Sequence, residues 1–226
     1  MNLLKKFNQL ILDVFFPPVC LTCRQNLNKD EKPQLVCDRC FQTIVIHRYF
    51  KKQPSFILGA AADYQNEVVR QLIHYFKYEE FIAAAEPLGK IMIQYLENSR
   101  LLEEAANFDL IIPLPLHPNR QRRRGFNQSE KLAQIINQKL NLPIENQAFI
   151  RVKNTLPQMG LENKKQRKEN IKDAFAIKAK HGETLKDKSI ILIDDIFTSG
   201  ATIKQAVKIL KQAGVKKIIV LVAAET

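Results

Sequence analysis

The sequence predicts an α/β fold, with a parallel sheet flanked by helices and a small four-cysteine module at the N-terminus. Three observations support this prediction. From about residue 53 onward, short apolar runs typical of buried strands alternate with stretches of helical apolar spacing. All four cysteines lie within residues 20–40. The chain has 226 residues, which is enough for one α/β domain and a small module.

The first 16 residues carry apolar side chains at helical spacing: Leu3, Leu4, Phe7, Leu10, Ile11 and Val14. They predict an amphipathic helix packed on its own domain, with a helix on a membrane surface or a partner as the alternative. Polar residues interrupt the apolar run and no small-residue cleavage site follows, so we do not expect a signal peptide. No run of about 18 apolar residues occurs, and no transmembrane segment is expected.

The cysteines form two Cys-x-x-Cys pairs: Cys20, Cys23, Cys37 and Cys40. Thirteen residues separate the pairs, a spacing at which four thiolates can converge on one tetrahedral Zn²⁺. Four cysteine ligands leave no open coordination position, so the zinc is expected to be structural. The alternative is two disulfides, which would require an oxidising compartment. We predict a helix and zinc-ribbon module at residues 1–52 and the main domain at residues 53–226.

The elements of the main domain follow one another as strands and helices. Apolar patterns predict strands at residues 55–62, 108–112, 190–193 and 217–223. Helical spacing predicts helices at residues 68–76, 86–98 and 129–140, and a further helix after residue 202 that Gly214 ends. Strands that alternate with helices in this way indicate a parallel sheet with right-handed crossovers.

Residues 190–202 carry the clearest functional signal. After the buried strand come two acids, and then a loop of small residues: Asp194 and Asp195, then Thr198, Ser199, Gly200, Ala201 and Thr202. Because a helix begins there, the loop amides and hydroxyls can hold a 5′-phosphate at the positive helix end. The carboxylates can accept hydrogen bonds from ribose 2′- and 3′-hydroxyls or from the water shell of Mg²⁺. The segment therefore predicts a ribose-phosphate site.

Positive charge is the main compositional feature. The formal net charge is +12 and the pI about 9.6, which favours an anionic partner such as nucleic acid, nucleotide phosphate or acidic lipid. The charge is densest in one short segment: Arg120, Arg122, Arg123 and Arg124, followed by Gly125. We predict a loop there that binds pyrophosphate or DNA, because guanidinium forks fit phosphate oxygens. Residues 164–172 are a second basic tract, either a further phosphate contact or a charged helix face.

Residues 190–202 resemble the motif that binds 5-phosphoribosyl-1-pyrophosphate (PRPP) in the type I phosphoribosyltransferase fold. Together with this motif and the four-cysteine segment, five further segments carry a second resemblance, which covers nearly the whole chain: residues 73–78, 111–118, 119–128, 155–158, and 167–170 with Phe175 downstream. The chain resembles the ComF family of competence-associated, phosphoribosyltransferase-like proteins with an N-terminal zinc ribbon.

The resemblance implies a cytoplasmic protein that binds PRPP or a related ribose phosphate together with Mg²⁺. It also implies a role in natural transformation, in the uptake and cytosolic handling of single-stranded DNA. Further implied partners are a competence helicase or a membrane DNA channel, with peripheral association at the inner membrane as an additional location. Asp194 and Asp195 would be the catalytic residues if transferase activity is retained.

Two other functions stay open. The first is an active phosphoribosyltransferase, a pentosyl-group glycosyltransferase of nucleotide metabolism. Thr198 stands where 6-oxopurine enzymes carry an acid as proton acceptor, and a hydroxyl cannot replace that base near neutral pH, although other phosphoribosyltransferases lack the acid. The second is a PRPP-sensing zinc-ribbon regulator that binds DNA. Basic and acidic residues nearly balance between Cys20 and Cys40, which weakens this second alternative.

Overall fold

The computed structural model describes residues 17–28, 35–78, 81–105, 107–155, 169–179 and 182–226, except for the side chain of Tyr78. The predicted N-terminal amphipathic helix lies outside the described residues, as does most of the basic tract at residues 164–172.

Seven strands form two sheets in the described residues. They are β1 (Lys51–Lys52), β2 (Ile57–Asp63), β3 (Leu110–Pro113), β4 (Phe149–Arg151), β5 (Phe175–Ile177), β6 (Ser189–Phe197) and β7 (Lys217–Glu225). The main sheet has the order β1-β2-β7-β6-β3, and β4 pairs with β5 separately. All main-sheet pairs are parallel except β1 with β2, so the predicted parallel sheet is confirmed.

The acid pair belongs to a strand. Strand β6 stays in register with β7 as far as Phe197, with Asp194 opposite Val222. Strand β6 is therefore longer than the predicted apolar run at residues 190–193. It remains a strand because β7 continues beside it, and backbone pairing does not depend on whether a side chain is apolar.

Eight α-helices lie wholly within the described ranges. They are α1 (Asp38–Phe41), α2 (Glu67–Tyr78), α3 (Ala85–Asn98), α4 (Leu101–Ala105), α5 (Pro118–Arg124), α6 (Gln128–Leu140), α7 (Gly182–Leu185) and α8 (Ala201–Gln212). Helices α2, α3 and α6 begin and end within two residues of the predicted bounds. Among the described residues, no helix is long and apolar enough to cross a bilayer.

Alternating side chains of the central strands divide the core into two layers. Ile191 and Ile193 of β6 point into one layer, which contains the buried faces of α2, α3 and α6. Ile190 and Leu192 point into the other, with the buried face of α8 and the β4–β5 pair. Buried residues of the cysteine segment, including Cys20, belong to the first layer. The predicted module therefore packs on the main domain, and its boundary at residue 52 remains a prediction.

The basic segment predicted as a loop is the helix α5, which corrects that prediction. The Nδ1 atom of His117 accepts a hydrogen bond from the Asn119 amide, and Pro118 occupies the first turn. Gly125 then ends the helix with φ 74°, a left-handed conformation that glycine adopts without steric cost. These caps stabilise a helix, although the proline-rich segment before it suggested a loop. Phosphate binding by the arginines remains a separate prediction.

Candidate functional site

The largest group of predicted site residues lines one cavity at the carboxyl ends of β3 and β6. Ligands of open α/β sheets bind at this edge. The cavity has a volume of about 330 Å³. Nine residues predicted from the sequence line it: Asp194, Asp195, Thr198, Gly200, Ala201, Thr202, Arg120, Arg123 and Arg124. Ser199, Arg122 and Gly125 do not line it. The structure therefore brings together both acids, four residues of the small-residue loop and three arginines of α5.

The small-residue loop forms the start of helix α8. Gly200 is the N-cap residue with φ 71°, and an added Cβ would lie 2.6 Å from the Phe197 ring. The Ser199 hydroxyl accepts from the Ala201 amide at 3.5 Å, which orders the turn. No acid occupies the first turn of α8, so the positive end of this 12-residue helix is uncompensated within the helix. A phosphate group fits this end of the cavity on electrostatic grounds.

The two acids have different surroundings. The Asp194 carboxylate accepts from the Ser129 hydroxyl at 3.1 Å and from the Asp195 amide at 2.9 Å. The Asp195 carboxylate lies 3.0 Å from the Lys77 ammonium. Burial raises the pKa of Asp194 to about 7, and the charge of Asp195 acts in the same direction while Lys77 opposes both. The pKa of Asp194 therefore lies near neutral pH, and the neighbouring Asp195 carboxylate is paired with Lys77.

Two neighbouring side chains hold the elements around the acids. The Asn127 side chain caps α6 by accepting from the Ser129 amide at 3.1 Å, and it donates to the Leu114 carbonyl beyond β3. The Gln128 side chain donates to the Phe76 carbonyl in α2 at 3.1 Å. Phe126 is buried against the Phe76 ring, with centroids 5.5 Å apart. Phe126 therefore anchors the segment.

A buried arginine that the sequence did not single out completes the cavity. Arg151 ends β4 and is 8% exposed, and it donates to the Thr155 hydroxyl at 2.5 Å. Arg120 donates to the Thr155 carbonyl, which brings the two guanidinium groups together. The Nε atom of Arg151 is buried and finds no acceptor among the described residues. Burial and the charges of Arg120 and Arg124 lower the pKa of Arg151 to about 10. The cluster has the chemistry of an anion site.

Three of the residues that shape this site were missed, and only one of them left a signal in the sequence. Arg151 follows Phe149 and Ile150, so a lone charge at the end of an apolar strand marked it. Nothing in the sequence indicates that Ser129 and Lys77 meet the acid pair, because those contacts connect α6 and α2 with strand β6, which is far away in the chain.

The four cysteines form a second, separate cluster. Their sulfur atoms all lie within 4.8 Å of one another, and those of Cys23 and Cys37 are 3.6 Å apart. Tetrahedral bonds of about 2.3 Å to Zn²⁺ place sulfur atoms about 3.8 Å apart, so the four residues fit that ion. None of the four forms a disulfide, so the alternative of two disulfides is not observed. The cluster could bind a metal and is consistent with structural zinc.

Hydrogen bonds favour a thiolate at one member of this cluster. The amide of Cys37 donates to the sulfur of Cys20 at 3.4 Å. Burial raises the pKa of Cys20, but the amides of Cys23, Cys37 and Thr22 outweigh it and lower that pKa to about 6. A metal ligand must be deprotonated, so this shift assists metal binding at Cys20, whereas burial and the neighbouring sulfur atoms raise the pKa of Cys40.

Comparison with known proteins agrees with this geometry. Residues 123–226 match the phosphoribosyl transferase domain family. Competence protein F of Haemophilus influenzae is 28% identical over 90% of this chain and 95% of its own length. DNA utilization protein YhgH of Escherichia coli is 28% identical over 80% of this chain and 73% of its own length. Competence protein ComFC of Bacillus subtilis is 24% identical over 87% of this chain and 79% of its own length.

Among solved structures, the match to glutamine PRPP amidotransferase from B. subtilis has 18% identity and a TM-score of 0.38. It covers 60% of this chain and 25% of the amidotransferase chain, so the two proteins correspond over about a quarter of the larger one.

Proposed function

We propose that this chain, which belongs to the ComF family of phosphoribosyltransferase-like competence proteins, binds PRPP or a related ribose phosphate together with Mg²⁺. We further propose that it acts in natural transformation, in the uptake and cytosolic handling of single-stranded DNA. One observation carries the binding proposal: the acid pair, the start of α8 and a buried guanidinium cluster line a single cavity of about 330 Å³. The names of the relatives and the net charge of +12 support the DNA proposal.

Each part of the cavity matches one part of the ligand. The turn at residues 198–202 would hold the 5′-phosphate against the N-terminus of α8. Asp194 and Asp195 would accept hydrogen bonds from the ribose hydroxyls or from water bound to Mg²⁺. The cluster around Arg151 would take the pyrophosphate, which supplies an acceptor for its buried Nε. A pyrophosphate also offsets the repulsion between Arg151 and Arg120.

Transfer of the phosphoribosyl group to a base is the alternative function of the same cavity. Asp194 and Asp195 are the candidates for catalysis, and Thr198 lines the cavity without offering a general base near pH 7. The binding proposal does not require transfer. We also propose a cytoplasmic location, with a competence helicase or membrane DNA channel as the protein partner.

The binding proposal is tested by thermal unfolding with PRPP and Mg²⁺. We expect the ligand to raise the melting temperature of the wild type, because it binds only the folded state. Asp195→Asn replaces one carboxylate oxygen by an NH₂ donor and removes the negative charge, so it should abolish the increase. Asp187→Asn is the matched control, since Asp187 is exposed before β6 at the opposite edge of the sheet and has φ 61°, which asparagine tolerates. An equal increase in all three proteins would reject the cavity as the binding site.

A further inference from the structure

The exposed face of α8 carries a row of lysines that the cavity does not use. The row comprises Lys204, Lys208 and Lys211, and α8 contains no acidic residue. In the described part of the chain, no acid lies within ion-pair distance of these lysines. The Lys211 ammonium donates to the Lys216 carbonyl at 2.6 Å, which keeps its charge beside the end of the helix.

The placement of two of these charges, on Lys204 and Lys208, is unfavourable for the helix itself. Lys204 and Lys208 are four residues apart, and like charges at that spacing destabilise a helix by about 0.2–0.5 kcal/mol. Lys204 also lies close to the positive end of the helix dipole, where an acid would be stabilising. An anion bound along the row would relieve both repulsions.

A groove accompanies the row. It has a volume of about 410 Å³ and lies between α8 and the turn that leads into β2. The lysines form one wall, while Phe56 and Val207 are buried side chains that contribute apolar surface to the groove. No acidic residue lines it. The groove therefore combines a cationic wall with a small apolar floor.

We propose that the lysine row of α8 and its groove bind the phosphate backbone of a single-stranded nucleic acid. This inference rests on the proposed handling of single-stranded DNA and names the surface that performs it. Lys204 and Lys208 are spaced by about 6 Å along the helix axis, so successive phosphates of an extended strand can contact successive lysines. The apolar surface beside the row, which includes the aliphatic stems of the lysines, can contact unstacked bases, which a duplex keeps stacked inside.

The row lies apart from the arginine cluster but starts beside the loop of α8. The Cε atom of Lys204 lies 3.4 Å from the position of a Cβ on Gly200. From there the row follows α8 along the sheet face opposite α2, α3 and α6. A strand bound on the row therefore approaches the cavity at one end without occupying it.

The test measures binding of a fluorescent oligo(dT) by anisotropy over a series of salt concentrations. The variant carries both Lys208→Gln and Lys211→Gln. The control is Lys131→Gln with Lys139→Gln, which removes the same charge from α6 on the other side of the sheet. Each neutralised phosphate of a single strand contributes about 0.7 to the salt slope. We expect the slope to become less steep by about 1.4 in the variant and to stay unchanged in the control.

The outcomes separate this inference from the function on which it rests. If the wild type does not bind oligo(dT), the proposed DNA role fails. If the wild type binds and the variant keeps the same slope, the DNA role stands and the lysine row is not the surface. If the variant loses affinity for a duplex as much as for the single strand, the row is a general polyanion surface and the single-strand assignment is overturned.

Discussion

The cysteine cluster and the ribose-phosphate cavity are assembled in opposite ways. All four cysteines come from residues 20–40, and two short Cys-x-x-Cys turns bring their sulfur atoms within 4.8 Å. The cavity instead takes Lys77, Ser129, Arg151 and the acid pair from segments that only the fold brings together. A site whose residues are close in sequence can be recognised in one stretch of the chain. A site at the edge of the sheet depends on every element that packs there.

The largest expected effect separates the two regions. Cys37→Ser should abolish zinc binding and loosen residues 17–28 and 35–44, because binding of about 10–16 kcal/mol is typical of structural zinc and contributes directly to folding. Metal analysis and hydrogen exchange would measure both effects, and chelation of the wild type should reproduce them. PRPP should still raise the melting temperature. Reductively purified wild type without zinc would contradict the account of the cluster.

Arg151 should matter for binding far more than for stability. Arg151→Met removes the charge at similar volume, and we expect PRPP affinity to fall at least about tenfold, because hydrogen bonds to charged groups contribute about 1.5–3 kcal/mol. The free energy of unfolding should stay the same or rise, since the substitution relieves a buried charge. Calorimetry and denaturant unfolding measure the two quantities. Arg70→Met, on the exposed face of α2, is the control. A loss of stability with unchanged affinity would make Arg151 structural.

Gly200 offers a smaller test of the phosphate turn. Gly200→Ala places a Cβ at φ 71° and 2.6 Å from the Phe197 ring, so we expect a loss of about 1–2 kcal/mol in unfolding free energy and weaker PRPP binding. Gly182→Ala is the matched control, because an added Cβ at that position contacts nothing within 4 Å. Equal stability of the two variants would show that the turn tolerates a side chain.

The smallest expected effect is a pH dependence at Asp194. Because its pKa is raised to about 7 in the folded state, Asp194 binds a proton more tightly there than in the unfolded chain. Its contribution to stability therefore falls as pH rises from the unfolded pKa toward 7.

Ligand binding should depend on the same group. Mg²⁺ requires the carboxylate, so the affinity for PRPP in the presence of Mg²⁺ should rise with pH by at most about tenfold per pH unit until Asp194 is ionised. Asp194→Asn should flatten both dependences, and a wild-type profile identical to that variant would contradict the assignment.

The difference between the two regions also explains what the sequence could predict. The acid pair, the turn at residues 198–202 and the cysteines were found because each is a contiguous pattern with its own chemistry. The bounds of α2, α3 and α6 followed from apolar spacing. Helix α5 was missed because His117 and Gly125 cap it through specific contacts that a composition of arginines and prolines does not reveal. Arg151 and Ser129 reach the cavity only through the packing of β4 and α6.

The central claim is that one cavity binds the whole of a ribose phosphate ligand. A crystal structure of the protein with PRPP and Mg²⁺ tests it most directly. We expect the 5′-phosphate against residues 198–202, the ribose hydroxyls at Asp194 and Asp195, and the pyrophosphate within hydrogen-bond distance of the Arg151 Nε. A ligand bound outside this cavity, or crystals grown at saturating PRPP in which the cavity holds none, would contradict the account.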